Sequence, residues 1–348
     1  MQKSILGEQQ LSRRTLLAMA GALVGGAAFI SCGGSQAQPS NAPLGGPKRP
    51  MIALIVGNTS DPFYTTMARG AQSRATQLGV DLVVDGPATF SATLQTPIVD
   101  AMIARRVNVI IIAACDKQVM IAPLKRAYAA HINVISVDTF IGDGNYINGP
   151  ITFPLSYIGS DNIEGGRLAG NALISSIGGK GKVYIQDTSP GSSSVDQRVQ
   201  GFKNAMQAAE GHVTLVGVDY NYHSIATARQ ETVAMLQRIS DIKGIFGTNV
   251  GSGEGAAQGV KLAQQQGRIK IANFDAPEQT VADIRDGVID IAIAQKPAQM
   301  GNLAVDYAFK ALNGEVSEIK KRVATGFVVI TKNTIDTPEA QAAIYRST

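Results

Sequence analysis

The 348-residue chain contains no tryptophan, only two cysteines and only three histidines. Cys32 and Cys115 have no thiol or imidazole at ligand spacing, so neither a disulfide framework nor a zinc site is implied. His131 precedes an apolar run, His212 falls in a loop and His223 follows Tyr222, and with no HExxH or CxxC each reads as structural or solvated. No GxSxG nucleophile elbow occurs. Gly251-Ser252-Gly253-Glu254-Gly255 follows a strand and opens a helix, but it lacks GxGxxG spacing and a P-loop lysine, so these are glycines at a helix start. Asp143-Gly144-Asn145 hints at a calcium loop, yet Ile147 occupies a position that needs oxygen. The net charge is only +4 and the basic residues are scattered, which leaves no stripe for a nucleic acid. Nothing pairs a nucleophile with a base. The sequence therefore predicts no enzyme, no cofactor and no metal.

What the chain does carry begins with an address. Ser12-Arg13-Arg14-Thr15-Leu16-Leu17 sets paired arginines before the apolar run Leu16–Ile30, which falls short of the roughly 20 residues of a membrane span. This reads as an export signal over residues 1–32, of the twin-arginine type. Phe29-Ile30-Ser31-Cys32 resembles a lipoprotein cleavage box, with Phe29 where Leu is usual, and predicts a lipidated Cys32. The alternative is cleavage after Ser35-Gln36-Ala37, which releases a soluble protein. Residues 33–50 are rich in Gly, Pro, Ser, Asn and Gln, a composition suited to a flexible tether.

From residue 51 strands and helices alternate. Apolar runs predict strands at Ile52–Val56, Val80–Val84, Val107–Ala113, Ile132–Val137, Lys182–Gln186, Val213–Val218, Gly244–Gly247, Lys270–Asn273, Asp290–Ala294 and Val323–Ile330, with helical periodicity between them. One helix between successive strands implies parallel pairing and right-handed crossovers. Thr139–Ser156 reads as a long irregular stretch. Ile52–Ala71 and Lys182–Phe202 form a weak repeat of strand, polar loop and helix, so two similar halves with a cleft between them are expected.

Polar groups recur at strand ends: Asp138, Asn249, Asp275 and Gln295. Arg198 lies on a helix, Phe63 and Tyr64 sit where the first loop meets its helix, and Tyr222 and Phe274 add aromatics. Each has a structural reading: strand-end Asp and Asn cap helices, a helical Arg pairs at the surface, and Phe63 and Tyr64 pack under the sheet. Together they suit a neutral, hydroxyl-rich ligand. Carboxylates and amides bond vicinal hydroxyls, and aromatic faces cover the C–H face of a sugar ring.

In order along the chain, Asp61-Pro62-Phe63-Tyr64, Ile132–Asp138, Ile158-Gly159-Ser160-Asp161-Asn162, Arg198-Val199-Gln200-Gly201-Phe202, Asn249, Phe274-Asp275, Asp286-Gly287 and Ile293-Ala294-Gln295 resemble the ribose-binding type of periplasmic sugar-binding protein. The resemblance runs from about 51 to 330. It implies the type I periplasmic binding fold: two Rossmann-like, doubly wound parallel-sheet α/β domains joined by a three-segment hinge. The crossings are expected near Tyr157–Gly159, Gln295–Pro297 and Arg322–Thr325, giving lobes 51–157 plus 296–322 and 158–295 plus 323–348. It further implies an exported, monomeric protein that closes on a sugar or polyol and delivers it to an ABC importer permease. Asp61, Phe63, Tyr64, Asp138, Arg198, Tyr222, Asn249, Phe274, Asp275 and Gln295 are the expected ligand contacts. Ala113, Thr139 and Val250 stand where the ribose binders carry Asn, Arg and Asp, which opens the ligand to another pentose or hexose, a deoxy sugar or a polyol. A ligand-presenting sensor for a membrane receptor and a sugar-modifying enzyme are the alternatives. A sugar-responsive repressor would need a DNA-binding segment where the export signal lies.

Overall fold

The computed structural model describes residues 49–209 and 211–346. The twin-arginine pair, Cys32 and the tether up to residue 48 lie outside the described residues. The first half of the fold runs β1 (Met51–Ile55), α1 (Pro62–Leu78), β2 (Asp81–Asp85), α2 (Ala92–Ala104), β3 (Val109–Ile112), α3 (Ile121–Ala129), β4 (Asn133–Val137) and β5 (Ser156–Ser160). The second runs α4 (Asn162–Ser176), β6 (Gly181–Asp187), α5 (Ser193–Ala208), β7 (Val213–Tyr220), α6 (Ile225–Arg238), β8 (Ile242–Gly247), α7 (Val250–Leu262), β9 (Lys270–Phe274), α8 (Glu278–Arg285) and β10 (Ile291–Ala294). The chain then returns through α9 (Pro297–Leu312), β11 (Arg322–Thr325), β12 (Val328–Thr331) and α10 (Pro338–Ala342).

Two six-stranded sheets result, in the orders β11-β5-β4-β3-β1-β2 and β12-β10-β9-β8-β6-β7. The first is parallel throughout; in the second only β12 runs antiparallel, against β10. Each sheet carries an apolar cluster on both faces, so its central strands are uniformly apolar. The two orders match strand for strand, β1 with β6, β2 with β7, β3 with β8, β4 with β9, β5 with β10. The weak sequence repeat therefore falls on equivalent units.

The chain changes sheets after Ser160, after Ala294 and between Thr325 and Val328. Boundaries at 157/158 and 322/323 would cut β5 and β11, both of which pair within the first sheet. The run Val323–Ile330 is two strands in different sheets, broken at Gly326-Phe327. The irregular stretch ends at Ser156, where β5 begins. Paired helices approach closely enough to need glycine: a Cβ on Gly70 would fall on the Ala298 carbonyl, and one on Gly201 on the Ile163 carbonyl. This seats α1 against α9 and α5 against α4, and with them the residues at the start of α1 and on α5.

Candidate functional site

The carboxyl ends of both sheets face one cavity of about 430 Å³, its mouth included. In doubly wound sheets this is the edge where loops converge. Asp61 caps α1, its carboxylate accepting the Phe63 N–H at 2.9 Å, and Pro62 fills the first helical position. That cap turns Phe63 and Tyr64 inward, where both are buried, their rings edge to face at 5.1 Å. Asn58 from the same loop and Phe90 beyond β2 also line the cavity. The second lobe contributes Ser192, Ser194 and Val195 around the start of α5, Arg198 on it, His223 beyond β7 and Asn249 at the cap of α7.

Asp138 and Asp275 end the equivalent strands β4 and β9, and both adopt left-handed backbone, with φ of 61° and 74°. Tyr64 Oη donates to Asp138 Oδ2 at 2.8 Å, and Tyr157 Oη donates to the Asp138 carbonyl at 2.9 Å. Asp275 Oδ1 accepts from Gln295 Nε2 at 2.8 Å and from Tyr345 Oη at 2.9 Å. Asp275 thus does not cap α8, whose N-cap is Pro277. Gln295 Oε1 in turn accepts from Ser160 Oγ of the first lobe at 2.7 Å, and the Gln295 N–H donates to Tyr345 Oη at 2.8 Å. The Arg198 guanidinium donates to Asn162 Oδ1 at 2.9 Å and to the Thr248 carbonyl at 2.8 Å, and stands 4.0 Å from Asp275 Oδ2.

Three carboxylates therefore share a cleft with one guanidinium. Burial pushes Asp61 up to about 7, with Asp275 adding to the rise. Burial pushes Asp138 up to about 6 against the opposing pull of Arg198. Asp275 is also raised by burial, and Arg198, Gln295 and Tyr345 hold it down. Such carboxylates, their charge disfavoured by burial and facing a void, suit the hydroxyls of a neutral ligand.

The lobes meet around the mouth. Lys117 Nζ lies 2.6 Å from Asp196 Oδ2, and the Lys117 N–H donates to the Gly191 carbonyl at 3.1 Å. The Phe140 N–H donates to Ser193 Oγ at 3.0 Å, and the Phe90 and His223 rings lie 4.9 Å apart. This is the closed arrangement of the two lobes. Among the described residues the cavity holds no activated nucleophile. Burial pushes the nearby Cys115 thiol up to about 12, and Cys115 Sγ donates to the Gly57 carbonyl. Ser192 and Ser194 face each other at 3.4 Å with no base bonded to either.

Of the ten expected contacts, all but Tyr222 and Phe274 line the cavity. Tyr222 is 71% exposed on the outside of its loop. Phe274 is fully buried behind Arg198, whose guanidinium stacks on its ring at 4.0 Å. His223, the residue after Tyr222 and read from sequence as structural or solvated, lines the cavity instead. Asn58, Ser192, Ser194 and Val195 were signalled only as members of polar loops, and Phe90 and Tyr345 not at all. Ala113 and Thr139 are buried away from the cavity, with Thr139 Oγ1 donating to the Ala114 carbonyl at 2.8 Å, and Val250 begins α7.

Against this geometry stand the relatives. Residues 52–316 match the model of the periplasmic binding protein domain family. The chain is 32% identical to the ribose import binding protein RbsB of Haemophilus influenzae over 273 residues, covering 77% of this chain and 88% of the relative. An ABC transporter solute-binding protein from Agrobacterium vitis, solved with α-D-tagatopyranose, superposes with a TM-score of 0.83 at 41% identity, covering 85% of this chain and 99% of that one. A second from the same organism, solved with D-fucose, has a TM-score of 0.79 at 29% identity, covering 85% and 100%. The chain belongs to the periplasmic binding protein family. It is a solute-binding protein of the sugar ABC-transporter class and not an enzyme. Among the described residues no helix is long and apolar enough to cross a membrane.

Proposed function

We propose that the protein captures a sugar or polyol by closing its lobes over the cavity and delivers it to an ABC importer permease. The observation that carries this reading is the convergence of Asp61, Asp138, Asp275, Arg198, Asn249 and Gln295 from both lobes on one cavity. Such a set grips a ligand only when the lobes are together, which makes occupancy and closure the same event. Phe63 and Tyr64 supply aromatic cover for a sugar C–H face. The lobes are residues 51–160 with 297–325 and residues 161–295 with 328–346, and the three crossings between them act as the hinge. The lipidated Cys32 would hold a monomeric protein at the membrane beside its permease.

D-Tagatose, D-fucose, D-ribose and D-allose are the first ligands to try, with xylitol as a polyol. Calorimetric titration of the purified protein tests the reading. One of them binding stoichiometrically is the expected result, and saturation at 100 times the dissociation constant then stabilises the fold by about 2.7 kcal/mol. Failure of every one to bind would remove the sugar reading.

A further inference from the structure

Among the residues that line the cavity, one fully covered side-chain polar atom has no hydrogen-bond partner among the described residues: His223 Nε2. The residue is held firmly. It has a left-handed backbone, φ 64°, and its N–H donates to Asn221 Oδ1 at 3.0 Å. Asn221 is locked in turn by Gln186 Oε1 and Ser252 Oγ, each at 2.8 Å. Phe90 of the opposite lobe lies over the imidazole, the rings tilted by 34°.

The proton on this ring can be placed by elimination. Asn249 Oδ1 accepts the Ser252 N–H at 2.9 Å as the cap of α7, so its other terminal atom is the amide nitrogen. That nitrogen lies 3.4 Å from His223 Nδ1. An amide nitrogen only donates, so Nδ1 is the acceptor and a neutral ring carries its hydrogen on Nε2. Burial pushes the imidazole pKa down to about 4, so the ring is neutral at physiological pH. The ring thus carries one oriented, fully covered N–H with nothing bonded to it among the described residues. An unpaired buried donor is costly, and ligand sites are where such groups are retained.

We propose that His223 is a specificity-determining residue whose Nε2–H donates to an oxygen of the bound sugar, with Phe90 clamping the ring from the other lobe. This rests on the reading of the cavity as a sugar site. A site built to donate to a particular oxygen discriminates against an analogue that lacks it. The Phe90–His223 face therefore selects a ligand with a hydroxyl or ring oxygen there.

Two measurements test this. Long-range ¹H–¹⁵N correlation spectra of the full protein report the His223 tautomer directly. The Nε2–H form is expected, with the Nε2 resonance shifting on saturation with the tightest binder among D-tagatose, D-fucose, D-ribose and D-allose. Calorimetry with the same sugar compares wild type with His223→Phe, which keeps a ring against Phe90 and lacks the donor, and His223→Gln, whose amide nitrogen restores one. His223→Phe is expected to weaken binding about tenfold, the scale of one lost neutral hydrogen bond, and His223→Gln to recover most of that. Should His223→Phe fail to fold, His223→Gln and the tautomer carry the decision. An Nδ1–H tautomer, or wild-type affinity in a folded His223→Phe, overturns the assignment while leaving the sugar site intact. Wild type binding none of the four sugars and not xylitol either overturns the parent reading and this one with it.

Discussion

Removing one hydroxyl, in Tyr345→Phe, tests how the second lobe holds its part of the site. Tyr345 Oη does two things at once: it accepts the Gln295 N–H at 2.8 Å and donates to Asp275 Oδ1 at 2.9 Å. The ring itself packs edge-on against Phe63 at 5.9 Å, and phenylalanine keeps that contact. An orphaned buried N–H costs about 1–3 kcal/mol, and a hydrogen bond to a charged acceptor contributes about 1.5–3 kcal/mol. Because one oxygen serves both, the two losses are not independent, and a total of about 2–4 kcal/mol is expected. Urea unfolding of the ligand-free protein at pH 7.5 measures it. The deficit should also depend on pH. Burial raises the Asp275 pKa and Tyr345 is among the groups that hold it down, so losing the hydroxyl raises it further. A carboxyl whose folded pKa rises loses stability as pH climbs through that value, so the variant's deficit should be larger at pH 8 than at pH 5. Affinity for the cognate sugar should fall with it, because Asp275 and Gln295 lose their shared support. A loss under about 0.5 kcal/mol with unchanged affinity would refute the claim that this hydroxyl positions either residue.

Other outcomes follow from the same geometry. Asp275→Asn keeps the shape and removes the charge; it should stay folded and bind at least about tenfold more weakly by calorimetry, and wild-type affinity would take Asp275 out of the site. Asp275→Ala should in addition unfold more easily, by about 3–5 kcal/mol, because it also leaves Gln295 and Tyr345 without the acceptor oxygen that asparagine keeps beside buried Arg198. Acid should favour the closed, empty form: burial holds Asp138 at about 6 against an ordinary 3.8, so the part of that burial that closure adds favours closure below pH 4 and is lost as pH rises through 6. Asp61, at about 7, extends the trend. Small-angle scattering without ligand should then show a smaller radius of gyration at pH 4.5 than at pH 7.5, and the opposite order would contradict it. For the address, lysine at both Arg13 and Arg14 should block export and Cys32→Ala should free the protein from membranes in fractionation; unchanged export, or a wild type already free of membrane, would remove the respective assignment.

The parts of the fold written in local sequence were legible. β1, β3 and β4 are apolar runs, Asp138 and Asp275 close β4 and β9, and Asp61-Pro62 announces α1. β5 was not legible because Ser156-Tyr157-Ile158-Gly159-Ser160 is polar and small; its burial comes from β4 and β11 on either side. The join of β11 and β12 was hidden for the opposite reason: an unbroken apolar run does not say that its two ends serve different sheets. In the site, strand-end carboxylates could be read from position, since a strand delivers its last residue to the sheet edge. The aromatics could not be. Phe274 looks like Asp275's partner in sequence, but alternation along β9 turns it into the core. Tyr222 and His223 are adjacent with φ of 50° and 64°, and the turn they form sends one outward and the other to the void. Tyr345 lies 70 positions from the carboxylate it supports, a distance over which no local pattern speaks.

The left-handed backbones of Asp138 and Asp275 carry one more consequence. A side chain with a Cβ is uncomfortable there, and glycine is not. Selection for a sturdier fold alone would therefore favour glycine after β4, whereas after β9 the carboxylate is kept by the buried Arg198 guanidinium beside it. A library screened only for thermal resistance should drift to Asp138→Gly while keeping Asp275, on which Arg198, Gln295 and Tyr345 depend, and yield proteins that survive heating and hold sugar weakly. Asp138 marks where this fold gives up firmness for grip.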